Sequence, residues 1–179
     1  MIPEQAQEVV DFWRRAGAAG DWFAQNPDFD GHFRDRFLAL HLMAARGDCA
    51  GWGKTATGAL ALMVLLDQFP RNAFRGTGHM YATDGLCRAY ARAALAGGNL
   101  TGGDMRLFFV LPFAHSETLP DQDLSVRLNR ELGEPWLGHA LGHRDIIRRF
   151  GRFPHRNALL GRITTPDEAA FLTQGGFRG

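Results

Sequence analysis

The run from Thr55 to Gln68, TATGALALMVLLDQ, leaves this chain little choice of architecture. Leu60, Leu62, Met63, Val64, Leu65 and Leu66 give it no polar face before Asp67, and a helix that is apolar all round has to be surrounded by other elements. Those elements are expected to be helices. Phe108-Phe109-Val110 could pass for a strand, but no second strand pattern exists to pair with it, and a lone strand is unstable. Thr57 is the expected cap of the apolar helix. Its expected end is Phe69, because the residue before a proline avoids the helical region.

The rest of the chain supplies the surroundings. Val9, Val10, Phe12 and Trp13 make an apolar stripe on a helix from Pro3 to about Ala16. A second helix runs from Pro27 or Asp28 to Arg46, with Phe29, Phe33, Phe37 and Leu40 on one face and Gly47 as its stop. Further helices are expected over His79–Ala96, over Gly103–Phe113 with Pro112 as its kink or end, over Pro120–Leu132 and over Pro135–Phe150. Thr165-Pro166-Asp167-Glu168 reads as a capping box opening the last one. The expectation is an all-α protein, one domain over residues 1–179, with about eight helices stacked as antiparallel pairs.

Composition narrows the function classes. A formal net charge of +1 gives no global field toward nucleic acid or membrane. The longest apolar run, Ala59–Leu66, is far too short to span a bilayer. Cys49 and Cys87 make no disulfide framework, and the acidic start MIPEQAQEVVDFW is unlike a signal peptide, so the expected compartment is the cytoplasm. No GxGxxG, GxxxxGK[ST], GxSxG or HExxH occurs, and no cofactor is implied.

The polar residues of interest cluster at two similar segments. LLDQFPRNAFRGT (65–77) and IIRRFGRFPHRNALLGRITT (146–165) each carry Phe-Pro closely followed by Arg-Asn, then glycine and threonine. Asn72 and Asn157 suit turns. Lys54 is the one lysine among 20 basic residues, and six arginines from Arg144 to Arg162 face a single acid in that span, Asp145. Arg71, Arg75, Arg148, Arg152, Arg156 and Arg162 therefore need either acids from elsewhere, such as Asp67, Asp84 and Glu117, or a bound anion. Asp67, in the last turn of the apolar helix, opposes the helix dipole and is expensive to bury unless paired. It is either one half of a salt bridge or a ligand-binding or general-base carboxylate. His115, Glu117, His143 and His155 complete the candidates. His139 and His143 share a helix face, but this pattern does not amount to a metal site.

Four stretches are specific enough to carry a family resemblance: LLDQFPRNAFRGT (65–77), ATDGLCRAYA (82–91), LPFAHSE (111–117) and HRDIIRRFGRFPHRNALLGRITTPDEAAFL (143–172). With VVDFW (9–13) and DWF (21–23), they resemble the bacterial family labelled DUF924 over nearly the whole chain. The resemblance implies an all-α, TPR-like helical fold and no activity. Arg14-Arg15 stands where members usually carry Phe-Gly, and Gly78 and Gly85 where proline is common.

Three functional readings follow. The first is a helical binding module whose Arg/His/Asp-lined pocket takes a small anionic ligand or an acidic peptide, with no nucleic acid or membrane partner. The second is a hydrolase with Asp67 or Glu117 as base and His115 or His155 as acid. In the third the polar residues are purely structural and a partner protein binds elsewhere.

Overall fold

The computed structural model describes residues 3–179, whose regular secondary structure is helical, with no strand among them. The α-helices are α1 (Glu4–Ala19), α2 (Pro27–Ala45), α3 (Ala56–Met63), α4 (Phe69–Ala73), α5 (Asp84–Gly97), α6 (Leu107–Ala114), α7 (Leu119–Leu132), α8 (Trp136–Phe150) and α9 (Pro166–Thr173). α3 and α4 are one rod joined by a π turn, Val64–Gln68. The chain divides into two compact units, Met1–Pro112 and Phe113–Gly179.

In the first unit α3 is the central rod. It lies against α1 and α5, while α4 lies against α2. Every residue from Ala59 to Leu66 is 1% exposed or less, and burying each large apolar side chain contributes about 1.5–3 kcal/mol. Phe12, Trp13, Phe33, Phe37 and Phe69 stack edge and face beside it. The cap of α3 is Thr55, whose hydroxyl accepts from the Gly58 N–H, and not Thr57. The cap therefore lies two residues earlier than the apolar pattern suggests.

The rod also passes through Pro70, where the sequence predicts a stop. The π turn makes this possible. Phe69 N–H bonds the Val64 carbonyl at π spacing. Pro70 has no N–H to give to Leu65 at that spacing, or to Leu66 at α spacing. Side chains take the freed carbonyls instead. His41 Nδ1 reaches Leu65 at 2.9 Å, and Thr83 Oγ1 donates to Leu66 at 2.6 Å. Arg71 Nη1 donates to Asp67 at 2.8 Å and Asn72 Nδ2 to Gln68 at 2.9 Å. The helix expected from His79 starts later, at Asp84, behind a 3-10 turn over Gly78–Tyr81.

In the second unit α7 and α8 form a packed pair joined by a three-residue link. Ile146, Ile147 and Phe153 form the core, with Phe150 and Phe171 against it. α9 opens with the expected capping box: Thr165 Oγ1 accepts from the Glu168 N–H and the Glu168 carboxylate accepts from the Thr165 N–H.

Candidate functional site

Asp67, in the first unit, is 1% exposed. Its position in the π turn sets its carboxylate 3.1 Å from Arg71 Nη1 and beside the Gln68 amide. Arg71 also donates two bonds to Asp84, at 2.9 and 3.1 Å. Burial opposes the charge of Arg71, but the carboxylates of Asp67 and Asp84 outweigh it and raise its pKa. Arg75 turns away to Asp30 at 2.8 Å, and Asn72 is helical, accepting from Arg75. Cys87, fully buried beside this group, has its thiol pKa pushed well up by burial and then by Asp67 and Asp84, so it is inert.

In the second unit, Arg162 grips Glu117 with two bonds of 2.9 and 2.7 Å, and the Phe153 N–H adds a third at 2.8 Å. Burial would raise the Glu117 pKa, but these bonds from Arg162 and Phe153 prevail and lower it. Arg152 grips Glu168 at 2.6 and 2.8 Å, and Asn157 adds a bond of 3.2 Å. The Arg152 bonds chiefly hold Glu168 down to a pKa of about 2. Arg148 lies 3.7 Å from Asp145 and 3.9 Å from Asp123. Arg156 is buried, with its guanidinium 4.6 Å from the centre of the Phe153 ring. His155 packs on Phe153 and Phe177.

One arginine of this stretch is used differently. Arg149 is exposed and has no carboxylate partner among the described residues; it lies over the rings of Phe150, at 4.6 Å, and Phe171, at 5.8 Å. It stands on the rim of a cleft of about 400 Å³ along α8, floored by Ile146, Phe150, Phe171 and Phe177. Gly138 and Gly142, one turn apart on α8, keep that face bare, and a Cβ on Gly142 would meet nothing within 4 Å. His139 and His143 line the same face. His143 Nδ1 is buried without a hydrogen-bond partner. Burial first, then the basic neighbours His115, His139, Arg156 and His155, lower the His143 pKa to about 3, so its ring is neutral at pH 7. Asp145 also lines the cleft.

Each acid that the sequence singles out is thus tied to arginine within its own unit, Asp67 to Arg71 and Glu117 to Arg162. Arg71, Arg75, Arg152 and Arg162 are turned to acids, and Arg148 has two acids within 4.0 Å. Sequence reasoning missed Arg149 as the arginine left over, together with the aromatic floor from Phe171 and Phe177. The Gly138/Gly142 spacing on α8 was the available signal. Among the described residues no group of three or more His, Cys, Asp or Glu is placed to hold a metal.

Comparison with known proteins places the molecule among others of undetermined role. Residues 9–176 match a family described as bacterial protein of unknown function (DUF924). A solved structure, a protein of unknown function ATU0120 from Agrobacterium tumefaciens, is similar at 50% identity and a TM-score of 0.94, covering 98% of this chain and 100% of that one. No curated protein matches the chain.

Proposed function

The chain belongs to the DUF924 family, whose function is unknown, and from its own geometry we propose that it is a binding module whose α8 cleft takes a small anionic ligand with an apolar or aromatic body. The observation that carries this reading is Arg149, the exposed guanidinium left to ring faces beside an aromatic-floored cleft while Arg152 and Arg162 are held by acids. The rings would cover the body of the ligand, and Arg149 would meet a carboxylate or phosphate with two parallel hydrogen bonds.

The hydrolase reading is weaker on the same grounds. Glu117 accepts three N–H bonds and is held below the usual carboxylate range, which makes it a poor base. Asp67 is sealed from solvent and tied to Arg71. The structural reading suits the Glu117–Arg162 and Glu168–Arg152 pairs and gives Arg149 only its ring faces.

Isothermal titration with benzoate, phenyl phosphate and inorganic phosphate tests the proposal. Aromatic anions should bind and inorganic phosphate should bind less. Arg149→Gln, which removes the charge and the paired hydrogen bonds, should weaken binding by at least about 10- to 100-fold. Gly142→Leu should block the cleft. Unchanged affinity in both variants, or no aromatic anion bound at all, would sink the idea.

A further inference from the structure

Away from that cleft, two histidines of the first unit meet ring to ring. His41, on α2, is fully buried, and its Nδ1 lies 2.9 Å from the Leu65 carbonyl, one of those the π turn and Pro70 leave free. A carbonyl can only accept, so Nδ1 carries the hydrogen and Nε2 of the neutral ring presents its lone pair. That lone pair faces Nε2 of His79, 3.2 Å away. His79 sits on the 3-10 turn and is exposed. Both rings are held in place: His41 stacks on Phe69 at 4.9 Å, and His79 lies 3.9 Å from Phe74, centroid to centroid.

We propose that His41 and His79 form an open binding site for a divalent transition-metal ion that prefers nitrogen donors, copper(II) or zinc. Zinc binds imidazole nitrogen at about 2.0–2.1 Å in a tetrahedron, which sets two donor nitrogens about 3.4 Å apart. The 3.2 Å between the two Nε2 atoms is close to that bite. A ligating histidine whose other N–H is anchored on a carbonyl is the arrangement metal sites use to fix the tautomer, and His41 has it through Leu65. Exposed His79 gives the ion its route in and leaves the remaining positions to water or a small ligand. π turns within helices concentrate at functional sites, and this one supplies the anchoring carbonyl. With two protein donors the site is open and modest in affinity, and copper(II) should bind more tightly than zinc.

A hydrogen bond from His79 Nε2–H to His41 is the competing account, and it confers no metal affinity. Cobalt(II), whose visible absorption reports nitrogen ligation, separates the two when titrated into the full chain near neutral pH. Saturable one-to-one binding, displaced by zinc, is expected. His79→Gln, a change at an exposed position, should weaken it more than about tenfold. His139→Gln should leave it unchanged, since His139 and His143, four apart on α8, are a second pair spaced to share an ion. Binding that persists in His79→Gln, that disappears in His139→Gln, or that is absent from the unaltered chain overturns the proposal.

Discussion

Phe69-Pro70-Arg71-Asn72 and Phe153-Pro154-His155-Arg156-Asn157 are nearly alike on paper and fold in opposite ways. The first is helical, and the rod runs on through its proline. The second lies beyond a finished helix: Gly151, at φ 70°, ends α8, and Phe153 is extended at φ −88°, ψ 109°. The difference lies in what surrounds each proline. Around Pro70 the carbonyls of Leu65, Leu66, Asp67 and Gln68 all meet side-chain donors, so the missing N–H leaves nothing unsatisfied. Before Pro154 a left-handed glycine has already turned the chain, and the Phe153 N–H goes to Glu117. At Pro70 the helix survives because neighbours complete the ladder; at Pro154 it had already ended at Gly151, and the proline opens a 3-10 turn.

The largest effect that would break this comparison is at Arg71. Arg71→Met leaves Asp67 and Asp84 buried without their shared guanidinium, and unfolding by denaturant should show a loss of about 3–5 kcal/mol. A loss under about 1 kcal/mol would mean the first segment does not depend on its charges. Next comes Thr83→Val, which keeps the shape but removes the donor to Leu66; about 1–3 kcal/mol is expected by the same measurement. The smallest is Gly151→Ala, which forces a side chain into the left-handed region and should cost about 1–2 kcal/mol. A neutral outcome there would show that the second segment does not need its glycine turn.

These two segments also mark how far the sequence could be read. Apolar spacing gave α1, α2 and the central rod, and the Thr165/Glu168 capping box is visible because all its parts lie within four residues. The passage through Pro70 is not visible, because two of the four donors, His41 and Thr83, come from distant parts of the chain. The same holds for the candidate site. An excess of arginine from Arg144 to Arg162 can be counted in the sequence, and Glu117 can be named as a possible partner. Which arginine is left over depends on distances: Glu117 takes Arg162, Glu168 takes Arg152, and Arg149 remains. Glu168 was hidden in plain view, since its capping role is local and its bond to Arg152 is not.

The π turn has one more consequence. A single residue more or less in a helical turn rotates all that follows by about 100°. Deleting Leu65 or Leu66 would keep the rod apolar and helical, yet it would swing Arg71 off Asp84, while the local bond from Asn72 to the Gln68 carbonyl would travel with the helix. The meeting of Arg71 with Asp84 is therefore set by chain length within one turn, and a frame-preserving loss of the Leu65 or Leu66 codon would undo it without altering a side chain of that charged group.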